Sequence, residues 1–173
     1  MALPILTDYV MEKYGNQPLC VVSPDAGRIK VAERWSAKLG GAPLAFIHKT
    51  RRTDRPNETV ANRVVGEVAG KICVLTDDMI DTGGTIVKAA EALMADGAAG
   101  VIIAATHAIL SDPAVDRLKN SPAVEVIVTN TLPIAEDRVF DKLTILSIAP
   151  LVARAIREVF EDGSVTSMFD GHA

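Results

Sequence analysis

Six short apolar runs constrain the fold of this chain more than any other feature: LCVVS (19–23), PLAFIH (43–48), KICVLT (71–76), VIIAAT (101–106), VEVIVTN (124–130) and LTILSI (143–148). Most are continuously apolar rather than alternating, the pattern of strands covered on both faces. Amphipathic stretches lie between them. Val31, Trp35 and Leu39 recur at helical spacing before Gly40-Gly41, and Ile86, Ala90, Leu93 and Met94 do so before Gly97. Asp112-Pro113 reads as an N-cap followed by proline at the first helical position. Pro150 opens a last helix whose Leu151, Ala155, Ile156 and Val159 are expected to face inward, and residues 3–14 are a further helix candidate. Alternating strands and helices imply right-handed crossovers, hence an α/β fold with a mostly parallel sheet flanked by helices.

With 173 residues, 49% of them hydrophobic, and no repeat or Pro/Gly/Ser-rich linker, the chain is expected to form a single domain over 1–173. Its 18 basic and 22 acidic residues leave a formal charge of −4, which gives no global attraction for nucleic acid or an anionic membrane. MALPILTDYV lacks a basic leader region, and VIIAATHAIL (101–110) is too short to span a bilayer, so a cytoplasmic protein is expected. Cys20 and Cys73 sit in strand-like runs without CxxC spacing and read as buried thiols rather than a disulfide or zinc site.

In a parallel sheet, ligands bind beyond the carboxyl ends of the strands. The loops SPDAGR, HKTRRTDRP and DDMIDTGG would emerge there together. The last belongs to LTDDMIDTGGT (75–85), which sets three carboxylates before two glycines and two threonines. Gly83-Gly84 lets backbone N–H groups turn inward at the positive end of a helix, a cradle for a phosphate monoester. Thr82 and Thr85 add hydroxyl donors, and one of them can cap the helix. Taken alone, DTGGT is more simply an Asp/Thr/Gly turn with an ordinary cap. Asp77-Asp78 alters that weighing, because carboxylates accept hydrogen bonds from vicinal hydroxyls and repel bare phosphate. Together the acid pair and the glycine cradle describe a sugar phosphate, in which Asp77 and Asp78 would hold ribose 2- and 3-hydroxyls, directly or through Mg²⁺. Asp81, Thr82, Gly83, Gly84 and Thr85 would hold the 5-phosphate.

VLTDDMIDTGGT resembles the phosphoribosyl pyrophosphate-binding fingerprint shared by type I phosphoribosyltransferases and ribose-phosphate pyrophosphokinases. VVSPDAGR (21–28), FIHKTR (46–51), THAILSDPAVDRL (106–118), VTNTLP (128–133) and GSVTSMFDG (163–171) resemble the pyrophosphokinases, in the same order. The resemblance implies a type I phosphoribosyltransferase-like fold. It also implies transfer of the pyrophosphoryl group of ATP to the 1-hydroxyl of ribose 5-phosphate, giving phosphoribosyl pyrophosphate and AMP. By the same resemblance Lys49 stabilises the transferred group, Arg51 binds ribose 5-phosphate and the developing pyrophosphate, and Asp25 is the metal-associated carboxylate for Mg²⁺. Read without the motif set, KTRR is a solubilising basic turn and Ser-Pro-Asp a helix-capping one. Thr50 stands where many relatives carry a basic residue, and no role is given to Arg52, Arg55 or His107.

Chains of this family are roughly twice as long. The expectation is therefore a C-terminal half that lacks the N-terminal domain with its adenine and triphosphate contacts, and is poorly active alone. The full-length protein would form homo-oligomers, hexamers by resemblance. Two rivals share parts of the pattern: a stand-alone type I phosphoribosyltransferase and a catalytically silent regulatory homologue.

Overall fold

The computed structural model describes residues 2–50 and 61–169, with the side chains of 49, 50, 61, 62 and 169 outside the description. Helix α1 (Leu3–Tyr14) leads into β1 (Leu19–Ser23), a 3-10 turn at Ala26–Arg28 and α2 (Ile29–Lys38). Then come β2 (Leu44–Thr50), β3 (Ala61–Val65), β4 (Ile72–Ile80) and α3 (Gly84–Ala95). The chain continues through β5 (Gly100–Ala108), α4 (Ala114–Lys119), β6 (Glu125–Thr129), β7 (Leu143–Leu146) and α5 (Ala149–Phe160). The seven strands form one sheet in the order β3-β2-β1-β4-β5-β6-β7, parallel throughout except for antiparallel β3 at one edge.

The continuous apolar runs have a simple cause. Strand residues alternate between faces, and both faces of this sheet are covered. Cys73, Leu75, Ile103 and Ala105 join a core with Ile86, Ala90 and Leu93 of α3 and Leu118 of α4. Val74, Ile102 and Ala104 join a second core with Leu6 and Val10 of α1 and Ala32 and Trp35 of α2. Cys20 and Cys73 are register partners on β1 and β4, free and fully buried, as expected of structural thiols.

Strand order reverses at β1, which pairs with β2 on one side and β4 on the other. Such a switch point opens a crevice, because the loops after the two adjoining strands leave in opposite directions. Register gives the crevice its depth. β1 ends at Ser23, opposite Phe46 of β2, while β2 continues to Thr50 and β4 to Ile80. A slot about 10 Å wide, two strand spacings, is left above the end of β1.

Several expectations need correction. Lys49, Asp77 and Asp78 lie in strands rather than loops, because β2 and β4 run beyond the apolar segments that announced them. Lys49 pairs with Asn62 through the backbone of β3, an edge strand whose ANRVV sequence is too polar to stand out. Pro113 is the N-cap of α4 rather than its first helical residue, and the Asp112 carboxylate is taken by Arg138. The helix opened by Pro150 is present, but it does not bury its apolar face. Ile156 is 54% exposed, Val159 65% and Phe160 85%, and Leu151 and Ala155 are only partly covered. α5 follows the edge strand β7 and packs on the turn Val165–Phe169 instead of the sheet.

A polar clamp fixes α1 across the sheet. Glu125, 4% exposed at the start of β6, accepts hydrogen bonds from Tyr9 Oη (2.7 Å), Lys13 Nζ (2.9 Å), Tyr14 Oη and Thr144 Oγ1. A buried carboxylate is costly unless its acceptor sites are filled, and here four donors fill them. Burial alone would raise its pKa, but the Thr144, Tyr14 and Lys13 donors hold it below the ordinary 4.5. Burial, then the Glu125 hydrogen bond, pushes Tyr14 up to about 12.

Glu125→Ala should cost about 3 kcal/mol, the scale of a broken buried charge cluster, measured by urea unfolding. A carboxylate whose pKa is lower folded than unfolded contributes stability that is complete above the unfolded value and is lost as pH falls through the folded one. Melting temperatures should therefore fall as the pH drops below 4.5, and Glu125→Gln should lack that part of the fall. Equal acid slopes in the two proteins would contradict the clamp.

Candidate functional site

Four segments border the slot: the end of β1 with the turn that follows it, the extension of β2, the extension of β4, and the start of α3. After β1, Ser23 Oγ donates to the Asp25 carbonyl (2.6 Å), and Asp25 Oδ1 accepts the Gly27 N–H (2.9 Å) as the cap of the turn Ala26–Arg28. The capping reading of Ser-Pro-Asp thus describes what Asp25 does here. Its carboxylate also lies near enough to Arg28 to act on that guanidinium electrostatically.

The turn sends Arg28 across to β4. Its Nη1 stands 3.2 Å from Asp77 Oδ1 and 2.9 Å from Asp78 Oδ1. Asp77 Oδ1 also accepts the Asp78 N–H at 2.8 Å. Alternation along a strand would separate two adjacent carboxylates, but the shared guanidinium draws them together. Asp77 is pushed up to about 6 by burial and then by the neighbouring Asp78. Asp78 feels its own desolvation, yet Arg28 and Asp77 hold it below the usual carboxylate range. Asp78 Oδ1 is buried and its contact with Arg28 is not aligned as a hydrogen bond, which leaves an acceptor unfilled. Beside the pair, a cleft of about 400 Å³ is walled by Leu3, Leu6, Val31, Trp35 and Thr106.

Asp81 and Thr82 are exposed and lead to Gly83, whose φ of +72° is the left-handed turn that starts α3. No side chain caps this helix. The expectation that Thr82 or Thr85 caps it is corrected: the glycine turn places neither hydroxyl on the first-turn N–H groups, so the positive helix end is left for an external anion. Arg117 Nη1 donates to the Thr82 carbonyl (3.0 Å) and brings a cation to the same turn.

The structure therefore brings Asp25, Asp77 and Asp78 to one edge of the sheet, with Asp81 to Thr85 following directly on β4. Lys49 is placed at that edge by backbone register alone, and Arg51 lies outside the described residues. His107 is tied to Thr131 Oγ1 (2.9 Å), and Thr129 donates to the Thr106 carbonyl, in keeping with structural roles. Arg28 was missed as a site residue. Its signal was available in sequence, as a cation three residues past Asp25 in a loop already placed at the binding edge.

Among the described residues, no group of three or more His, Cys, Asp or Glu side chains is arranged to hold a metal ion. Mg²⁺ asks for less, commonly one or two carboxylates together with waters and substrate phosphates. The hard carboxylate donors Asp25, Asp77 and Asp78, gathered at one edge of the sheet, fit that demand.

The family model of the phosphoribosyl synthetase-associated domain matches residues 49–170, from the end of β2 through the acidic pair and α3 to the terminal segment. The chain belongs to that family. It is 62% identical over 169 residues to the ribose-phosphate pyrophosphokinase of Mycobacterium tuberculosis, a match covering 98% of this chain and 52% of that protein. The ribose-phosphate pyrophosphokinase of Streptomyces coelicolor matches to the same extent and identity. The crystal structure of phosphoribosylpyrophosphate synthetase from Mycobacterium smegmatis superposes with a TM-score of 0.85 at 60% identity, over 94% of this chain and 51% of that one. Orotate phosphoribosyltransferase from Aeropyrum pernix, at 16% identity and a TM-score of 0.56 over 88% of this chain and 75% of its own, shares the fold alone.

The expected type I phosphoribosyltransferase-like fold is thus present in this family member. The chain spans about half the length of the curated relatives it matches. The expected placement in their C-terminal half is not supported by these matches, which establish the family and the extent only. None of the described helices is long and apolar enough to cross a membrane.

Two substitutions separate backbone conformation from space in the glycine turn. Gly83→Ala should destabilise by about 1–2 kcal/mol, because a Cβ is strained at φ +72° even though its nearest contacts, from 3.6 Å, are ordinary. Gly84→Ala should cost less, since its Cβ meets only the movable tip of Arg117 at 3.1 Å. Urea unfolding of both variants checks the order, and a larger loss at Gly84 would contradict it.

Proposed function

We propose that this chain forms a single domain that binds ribose 5-phosphate for a ribose-phosphate pyrophosphokinase reaction, the transfer of pyrophosphate from ATP to the 1-hydroxyl with release of AMP. The observation that carries this reading is one strand–turn–helix unit, β4 to α3, with two partly buried carboxylates at the strand end and an uncapped, glycine-started helix after it. A pentose phosphate has the matching polarity: hydroxyl donors at one end and a dianion at the other. Asp77 and Asp78 take the 2- and 3-hydroxyls. Asp81 shapes the turn, and the N–H groups of Gly83, Gly84 and Thr85 with the Thr82 and Thr85 hydroxyls take the 5-phosphate.

The 1-hydroxyl is the nucleophile, and displacement at the β-phosphorus needs little from the protein beyond positioning and positive charge. Lys49 supplies that charge to the transferred group, and Arg51 to the 5-phosphate side and the developing pyrophosphate. Mg²⁺, held by Asp25 and by substrate oxygens, would neutralise the phosphate charge that builds up in the transfer. ATP requires contacts from the half of the relatives' length that this chain lacks, so this chain would be a poor catalyst by itself. The relatives named ribose-phosphate pyrophosphokinase support the reaction class, and the full-length protein is proposed to be a cytoplasmic homo-oligomer.

AMP formation from ATP and ribose 5-phosphate should run at least 100-fold below the rate of a full-length relative, and a full rate from the 173-residue chain would sink the half-site reading. Ribose 5-phosphate affinity, measured by calorimetry, should fall at least tenfold in Asp77→Asn and little in Lys49→Ala. Indifference to both would refute the assignment of the site. Pyrophosphate release from phosphoribosyl pyrophosphate with a panel of nucleobases would favour the phosphoribosyltransferase alternative.

A further inference from the structure

Arg28 reaches from the turn after β1 to the acidic pair on β4. It starts from the turn after β1, which is held by Ser23 Oγ on the Asp25 carbonyl, by Asp25 Oδ1 on the Gly27 N–H and by Arg28 N–H on the Asp25 carbonyl (3.5 Å). It also precedes α2, so its backbone is fixed from both sides. From there a single nitrogen, Nη1, approaches Oδ1 of both aspartates. A guanidinium that only stabilised one carboxylate would do so in a two-pronged, hydrogen-bonded geometry. This one is shared: a single nitrogen is the ion-pair partner of two carboxylates, at 3.2 and 2.9 Å.

The division of oxygens follows. Arg28, at 3.2 and 2.9 Å, and the Asp78 amide, at 2.8 Å, approach the pair from its Oδ1 side. The Oδ2 oxygens of two adjacent residues match two vicinal hydroxyl donors. Without a cation, two neighbouring carboxylates would repel each other and swing apart. We propose that Arg28 is a positioning residue of this site, which gathers Oδ1 of Asp77 and Asp78 at one guanidinium nitrogen and leaves their Oδ2 oxygens to a vicinal diol. This rests on the pentose phosphate reading above and adds a specificity device to it: selection of the diol comes from a residue on β1's loop that touches neither hydroxyl.

The test compares the unmodified chain with Arg28→Met, which keeps length and removes charge, and Arg28→Lys, which keeps charge but not the reach to both carboxylates. Each is titrated by calorimetry with ribose 5-phosphate, 2-deoxyribose 5-phosphate and inorganic phosphate. Arg28→Met should lose about tenfold in ribose 5-phosphate affinity, the scale of a charged hydrogen-bonding partner. It should also lose most of the discrimination against the deoxy sugar, with inorganic phosphate affinity unchanged. Arg28→Lys should recover part of both losses. Unaltered discrimination in Arg28→Met, or an equal loss for inorganic phosphate, would overturn the role of Arg28. If the unmodified chain itself binds ribose 5-phosphate no better than inorganic phosphate, the pentose phosphate reading fails, whatever the variants show.

Discussion

The double burial of β1, β4 and β5 is the constraint on which the rest of this structure depends. Cys73 and Leu75 pack toward α3 while Val74 packs toward α1 and α2. A slip of one residue in β4 would turn every one of these side chains to the wrong layer. The register is therefore fixed by the core, far from any chemistry, and it determines which residues emerge above Ser23. Asp77 and Asp78 are the first such residues on β4, and Lys49 emerges one step further out on β2.

Strand order then converts register into a binding place. Because β1 is short and its neighbours are long, the reversal of connection direction produces a slot rather than a flat edge. The polar groups that enter it are anchored by backbone: Arg28 by the capped turn, the acidic pair by the β4 ladder, and the helix end by the left-handed Gly83. Rigid elements of this kind pre-organise a site at little cost in conformational entropy on binding. Glu125 serves the same end from a distance, since it clamps α1, whose Leu3 and Leu6 wall the cleft beside the acidic pair.

Legibility in sequence followed the physics of each element. Strands buried on both faces declare themselves as apolar runs, so β1 and β6 were readable nearly to the residue, and β5 up to Thr106, two residues short of its end. β2 and β4 were readable only up to His48 and Thr76, because a ladder can continue through Lys49, Asp77 and Asp78 while the hydrophobic pattern stops. β3 is an edge strand with Asn62 and Arg63 in it, and its pairing is invisible without the partner. α5 carried a real amphipathic pattern, but periodicity reports that a face is apolar and not what covers it. Glu125 looked like one polar residue in a strand. Its four donors come from positions 9, 13, 14 and 144, separations that no local pattern encodes. The glycine turn and acidic pair were legible as a site because both lie within eleven residues of one segment. Arg28 was legible only as a cation in a loop at the binding edge, because its partners lie across the sheet on β4.

A crystal structure of this chain with ribose 5-phosphate bound would test the central claim most directly. The 5-phosphate should lie on the N–H groups of Gly83, Gly84 and Thr85, and the 2- and 3-hydroxyls on Asp77 and Asp78 beside an Arg28 that still bridges them. A sugar bound away from the β1–β4 slot, or turned so that its phosphate faces the acidic pair, would contradict it.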